Sequence, residues 1–321
     1  MTEKPVLLIT RRLRDGVHKR AQRDYRVILN MADKVFSRDE LVAKCQSVDA
    51  VLPCHTEHFT AEVIAALPTR LRIIANHSVG VDHVDLAAAR ARGIVVTNTP
   101  DVLSDATAEI AMLCMLGAAR RGAEGDAMIR AGKWDFWSPA FMVGQQVTGR
   151  RFGVLGMGRV GRVAAGRARG FGMQVHYHNR TRLPAHLEKG AVFHDTLEGL
   201  LAVSDVLSLH CPATPATTGI INARTLALLP DRAIVVNTAR GTLIDEAALI
   251  AALQSGKLFA AGLDVFQTEP GGNPALAALQ NVFLLPHIGS ATEETRDAMG
   301  FRALDNVDAF FAGQAPGDRV A

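Results

Sequence analysis

Short β-rich apolar runs alternate along this chain with segments of helical spacing, and that alternation limits the fold more than any other feature. The runs occupy residues 6–10, 49–52, 71–75 and 94–97, then 152–155, 174–177, 206–210, 233–237, 259–265 and 282–285. Continuous apolar runs separated by helices suit strands buried on both faces, so the pattern predicts an α/β fold of parallel sheets covered by helices. They are too many for one open sheet of ordinary size, and 321 residues exceed one small core. Two domains are expected. Thr97-Asn98-Thr99-Pro100 reads as a hinge, followed by a long helical pattern over 102–120, and a second such pattern over 292–311 closes the chain. Long helices on either side of one complete sheet predict a chain that leaves a first domain, builds a second and returns. The domains are then 1–100 with 290–321, and 101–289. Ser37 before Arg38-Asp39-Glu40, and Asp245-Glu246 before residues 247–254, place acidic caps at helix starts.

Composition narrows the class. Hydrophobic residues make up 48% and charged residues 21%, which excludes a disordered chain, and a net charge of +3 is too mild to imply nucleic acid. The four cysteines, Cys45, Cys54, Cys114 and Cys211, share no redox or zinc spacing and read as reduced thiols. The apolar stretch at 6–9 is too short for a signal-peptide core, and the stretch at 108–119 contains Glu109 and falls short of a membrane span. The expectation is a cytoplasmic protein without a membrane partner.

Phe152-Gly153-Val154-Leu155-Gly156-Met157-Gly158-Arg159-Val160-Gly161 runs from a strand into G-x-G-x-x-G and a helix over 159–170. A glycine triplet alone is weak evidence; this context makes it a dinucleotide turn. Gly156 permits the turn, Gly158 lets backbone approach a pyrophosphate, Gly161 lets helix and strand pack, and the helix N-terminus offers N–H groups. The next strand ends in His176-Tyr177-His178-Asn179-Arg180-Thr181-Arg182 without the acidic residue that usually binds the NAD ribose, and no carboxylate follows until Glu188. Asn179, Arg180, Thr181 and Arg182 suit a 2′-phosphate instead, so NADP(H) is expected ahead of NAD(H). An exposed basic loop is the plainer alternative. His176 and His178 share a strand face without a further ligand, and no metal is expected.

Three strand ends in the C-terminal half carry chemistry. Arg240 follows the run at 233–237, Asp264 interrupts a buried run with Glu269 in the loop beyond, and His287 follows the run at 282–285. Each alone has an ordinary reading, as a surface arginine, a loop acid or a satisfied histidine. A histidine beside a glutamate at another strand end is a candidate acid–base pair, and doubly wound sheets take ligands at strand carboxyl ends.

At these residues the chain resembles the D-isomer-specific 2-hydroxyacid dehydrogenases, in particular their glyoxylate/hydroxypyruvate reductase branch. The resemblance covers nearly the whole sequence. It rests on His77-Ser78-Val79-Gly80-Val81-Asp82, Thr107-Ala108-Glu109, the glycine turn, Asn237-Thr238-Ala239-Arg240-Gly241, Gly262-Leu263-Asp264-Val265-Phe266, Glu269-Pro270 and Pro286-His287-Ile288-Gly289-Ser290. It implies two doubly wound parallel-sheet domains, a Rossmann-type NAD(P)-binding domain inserted into a flavodoxin-like substrate domain. It implies Arg240 on the substrate carboxylate and carbonyl, His287 as proton donor and Glu269 holding the imidazole. Leu52 and the backbone of Ser78, Val79 and Gly80 would line the substrate site, with Arg240 and His287. The implied cofactor set is Thr107, Gly156, Met157, Gly158, Arg159, Val160, Gly161, Asn179, Arg180, Thr181, Arg182, Cys211, Thr238, Ala239, Asp264 on the nicotinamide amide, His287 and Gly289. A homodimer is implied through the segment holding Trp134 and Trp137, where Trp137 or Phe141 would reach the neighbouring copy. The expected reaction is NADPH-preferring reduction of short 2-oxo acids to D-2-hydroxy acids. The rivals are an NAD-dependent enzyme of the D-lactate or 3-phosphoglycerate type and a cofactor-sensing corepressor. Glu269 as the histidine's partner argues against formate enzymes, which use glutamine.

Overall fold

The protein is described by a computed structural model over residues 3–321, which form two compact units, 3–103 with 291–321, and 104–290. In the first, β1 (Val6–Ile9), α1 (Asp15–Asp24), β2 (Arg26–Leu29), α2 (Arg38–Cys45), β3 (Ala50–Leu52), α3 (Ala61–Ala66), β4 (Ile73–Ala75), α4 (Leu86–Ala91) and β5 (Val95–Thr97) follow in strict alternation. Their strands form one parallel sheet in the order β2-β1-β3-β4-β5, the flavodoxin-like arrangement. The period-2 geometry of a strand divides its side chains between two cores. Leu7 and Ile9 pack with Ala50, Leu52 and Ile73 beneath the closing helix Glu293–Phe311, while Leu8, Val51 and Ile74 face Leu41, Val63 and Ile64 of α2 and α3. Gly300 of the closing helix lies so near α1 that a Cβ there would come within 2.4 Å of Val17. The last residues then cover the edge of β5, with Val320 N donating to Val96 O at 2.8 Å and Arg302 paired to Asp318.

The second unit runs α5 (Ser104–Ala119), α6 (Gly122–Arg130), β6 (Arg151–Leu155), α7 (Arg159–Gly170), β7 (Gln174–His178), α8 (Ala185–Glu188), β8 (Val192–Phe193), α9 (Leu197–Leu201), β9 (Val206–Leu209), α10 (Ala223–Ala227), β10 (Ala233–Asn237), α11 (Glu246–Gln254), β11 (Leu258–Leu263), α12 (Pro274–Ala277) and β12 (Val282–Leu284). All seven strands are parallel, in the order β12-β11-β10-β9-β6-β7-β8. Counted from β6 this is the Rossmann order with one further strand beyond β11. α5 and α7 pack on one face against Phe152 and Val154, and Leu155, Leu207 and Leu209 face the other. The capping box of Ser37 with Glu40 and the Asp245 cap of α11 form as the sequence predicts.

Two strands escape the sequence reading, β2 and β8. Both lie at or next to a sheet edge and are only partly buried, so neither needs the continuous apolar run that marks an interior strand. No helix among the described residues is long and apolar enough to cross a membrane.

His77, directly after β4, is 4% exposed, and its Nε2 donates to Arg296 O at 3.3 Å. Burial pushes its pKa down to about 4. The unfolded chain takes up this proton near pH 6.5, so between there and pH 4 it binds more protons than the native state. The neutral buried ring therefore stabilises fully above pH 6.5, and that contribution is lost as pH falls towards 4. Over the whole window it amounts to something on the order of 3 kcal/mol. In urea unfolding from pH 7.5 to 4.5, the gap in stability between wild type and His77→Asn should narrow as pH falls. A gap independent of pH would assign His77 no such role.

Candidate active site

The glycine turn joins β6 to α7. Gly156 has φ +97°, and a Cβ there would meet Cys211 N at 2.5 Å, so both conformation and packing demand glycine. A Cβ at Gly161 would meet Gly156 O at 2.4 Å, the close helix–strand approach expected of the third glycine. Gly158 differs, because its Cβ would meet nothing within 4 Å. It is the N-cap of the twelve-residue helix α7 and offers no side-chain hydrogen bond to the helix's first N–H groups. Across the sheet, the Thr238 hydroxyl is buried without a partner among the described residues. An uncapped helix start and an orphaned buried hydroxyl both fit a phosphate-bearing nucleotide.

Two expected cofactor residues make internal contacts. Met157 is 1% exposed, packs into the core, and gives its N–H to Asn179 Oδ1 at 2.7 Å. Its amide and side chain are thus both used internally, and with Asn179 it ties the turn to the end of β7. Arg182 does not stand ready for a phosphate, because it pairs with Glu188 at 2.8 and 3.2 Å. α8 brings Glu188 back under β7, where Tyr177 donates to it at 2.5 Å. The Arg182 guanidinium and this hydroxyl hold the Glu188 carboxyl below the usual carboxylate range. Arg180 and Thr181 remain exposed, and Arg180 has no ion-pair partner among the described residues.

The three reacting candidates follow adjacent strands in register, Asn237 beside Leu263 and Leu263 beside Leu284. After β10, Asn237 is 1% exposed and shapes the turn: its Oδ1 accepts from Ala239 N at 3.0 Å and its Nδ2 donates to Arg240 O at 2.8 Å. A Cβ on Gly241 would lie 1.9 Å from the Phe266 carbonyl carbon, so the loops after β10 and β11 touch through this glycine. After β11, Glu269 Oε1 accepts from Phe266 N at 2.8 Å, folding the loop back so that Oε2 meets His287 Nδ1 at 2.5 Å. The two side chains are 25% and 28% exposed, open enough to meet a ligand.

His287 itself has φ +54°, a left-handed conformation that few residues other than glycine adopt. Asp264 holds it there. This fully buried carboxylate accepts from Ile288 N at 2.8 Å and Gly289 N at 2.7 Å. Burial raises its pKa, and the two amides and the nearby imidazole oppose that rise. The resemblance implied a nicotinamide contact for Asp264; the observed work of its oxygens is to hold the loop. Thr107 of α5 packs beside the same loop, 3.4 Å from where a Gly289 Cβ would be.

Sequence reasoning missed Glu246. Its carboxylate, 8% exposed, accepts from Gln267 N at 2.8 Å and Asn273 Nδ2 at 2.7 Å, pinning both arms of the Glu269 loop to α11. Its position at a helix start has a sufficient explanation in the helix dipole, which hid the second role. In the first unit, the Ser78 hydroxyl donates to Gly80 O at 2.6 Å, and Asn98 Nδ2 donates to Val79 O at 2.9 Å. Leu52 is 1% exposed and packs with Ile9 and Ile73 in the core, because the last residue of β3 faces inward. Its side chain supports the loop that follows.

A family model described as D-isomer specific 2-hydroxyacid dehydrogenase, NAD binding domain, matches residues 112–289. A glycerate dehydrogenase from Hyphomicrobium methylovorum is 43% identical over 97% of each chain. A glyoxylate reductase from Thermococcus litoralis is 42% identical over 99% of this chain and 97% of its own. The crystal structure of an NADPH-dependent glyoxylate/hydroxypyruvate reductase from Sinorhizobium meliloti, in complex with NADP and malonate, shares 33% identity at a TM-score of 0.88, covering 99% of this chain and 97% of that one. With the Rossmann order, the glycine turn and relatives matched along nearly their full length, this chain belongs to the D-isomer specific 2-hydroxyacid dehydrogenases, nicotinamide-dependent oxidoreductases acting on CH–OH donors.

Proposed function

We propose that this enzyme reduces short 2-oxo acids, glyoxylate and hydroxypyruvate foremost, to D-2-hydroxy acids with NADPH as the preferred reductant. The observation that carries the reading is the 2.5 Å pair of His287 Nδ1 and Glu269 Oε2, set beside Arg240 on neighbouring strand ends. Curated relatives bearing the names glyoxylate reductase and glycerate dehydrogenase support the substrate class.

The α7 N-terminus with Gly158, the Thr238 hydroxyl and Arg180 would hold the dinucleotide, which supplies the hydride when bound. Arg240 binds the substrate carboxylate and polarises the carbonyl through its fork of donors. Glu269 occupies Nδ1, so the proton that His287 gives to the developing alkoxide is the one on Nε2, and in reverse the same nitrogen takes it back. For the cofactor, the support is a β7 end at His178 with no acid for the ribose, followed by exposed Arg180 and Thr181. Arg182, already paired with Glu188, leaves that preference to Arg180.

Two copies are proposed to associate through the segment after α6, where Trp134, Phe136, Trp137 and Val143 are 55%, 60%, 72% and 61% exposed. Apolar groups so concentrated at a surface favour burial against a partner. Free thiols at all four cysteines support a reducing, cytoplasmic setting.

His287→Gln should lower kcat by roughly 10²–10⁴-fold with glyoxylate while NADPH affinity, read by fluorescence titration, stays within twofold or so. Unimpaired turnover would remove His287 as the acid. Wild type should oxidise NADPH with far higher kcat/KM than NADH, and Arg180→Glu should cut the NADPH value roughly 10- to 100-fold while sparing NADH. Equal losses with both cofactors would overturn the assignment of Arg180. Light scattering should give a dimer mass for wild type and a monomer for Phe136→Ser/Trp137→Ser; an unchanged mass would place the interface elsewhere.

A further inference from the structure

We infer that Glu57, a buried carboxylate in the first unit, is a positioning residue that sets specificity for the substituent on the substrate's carbonyl carbon. The inference rests on the 2-oxo acid reading above. Glu57 is 1% exposed and lies in the loop after β3. Its Oε2 accepts from the Thr10 hydroxyl at 2.8 Å and from Cys54 N at 3.3 Å, and its Oε1 accepts from the Thr56 hydroxyl at 3.1 Å. Thr56 Oγ1 in turn accepts from Arg11 Nη1 at 3.0 Å, and Arg11 Nε donates to Asp33 Oδ1 at 2.8 Å.

Thr10 and Arg11 follow β1, Cys54 and Thr56 follow β3, and Asp33 lies beyond β2. One carboxylate thus joins the carboxyl ends of β1 and β3. In the order β2-β1-β3-β4-β5 these strands flank the point where chain connections diverge to opposite sides, which is where doubly wound sheets take ligands. A bare structural role would be an expensive use of a fully buried polar group, since apolar packing of the same volume would serve. What the carboxylate adds is directional: the Thr10 and Thr56 hydroxyls and the Cys54 amide and thiol converge on it and fix where Pro53, Cys54, His55 and Thr56 sit.

Within this unit, the family reading assigns carboxylate recognition to other groups, the backbone of Ser78, Val79 and Gly80. The loop at 53–56 is left to meet what varies between substrates, hydrogen in glyoxylate and hydroxymethyl in hydroxypyruvate. Glu57 acts through this loop and touches neither substrate nor cofactor.

The test compares the two substrates on purified Glu57→Gln at saturating NADPH. Glutamine keeps the size but turns an NH2 donor towards groups that themselves donate, so the loop loses its register. KM for hydroxypyruvate should rise roughly tenfold, with kcat within about threefold and the KM for glyoxylate nearly unchanged. Thr10→Val, which removes one donor and keeps the charge, should shift the same ratio by less, and Thr10→Ser should restore it. Equal losses on both substrates, or a drop in thermal midpoint with no change in the KM ratio, would overturn the proposal and leave Glu57 a structural group. If Glu57→Gln does not fold, the Thr10 pair decides alone: an unchanged ratio in Thr10→Val refutes the inference. Wild type that turns over neither substrate would instead fail the functional reading, a result separate from any variant.

Discussion

The geometry of the candidate His287–Glu269 pair depends on one buried carboxylate. Asp264 accepts the amides of Ile288 and Gly289, and those two bonds hold His287 in a left-handed backbone conformation that its side chain does not favour. Such a conformation costs on the order of 1 kcal/mol or more and persists only where surroundings over-determine it. Burial of Asp264 is unfavourable by itself, and the amides offset it. The outcome is an imidazole aimed at Glu269 rather than along the extension of β12.

Around this point the loops brace one another. Glu269 folds its own loop by accepting Phe266 N, Glu246 ties that loop to α11, and Gly241 allows the loop after β10 to lie against Phe266. Glu246 and Gly241 brace these loops from outside the candidate set. They convert three flexible strand ends into a fixed set, because each loop satisfies backbone groups that would otherwise be orphaned beside the sheet. The sheet supplies the coarse placement by registering β10, β11 and β12, and the buried polar groups supply the fine one.

Much of this was legible beforehand. The apolar runs marked the interior strands, the glycine spacing marked the turn, and the strand-end motifs marked Arg240, Glu269 and His287 as candidates. What stayed illegible shares a cause. Leu52, Met157 and Arg182 were assigned by position along the chain, yet each spends its group inside the protein, in the core, on Asn179 and on Glu188 respectively. β2 and β8 were missed because a strand near an edge is defined by its neighbour rather than by its own hydrophobicity. Glu188 is close in space to the end of β7, but it is carried at the end of α8, further along the chain.

What the sequence by itself determined is therefore the class of fold, the order of its elements and the chemical types gathered at the strand ends. Those follow from local pattern, since hydrophobic period and glycine stereochemistry act over a few residues. Tertiary structure alone decided which polar groups are spent on one another. Asp264 as a loop holder, Glu246 as a brace, Arg182 as Glu188's partner and Glu57 as a junction of β1 and β3 are all contacts between segments distant in sequence or separated by an intervening element. A residue's type states what bonds it can make, and only the packed chain states which of them it makes.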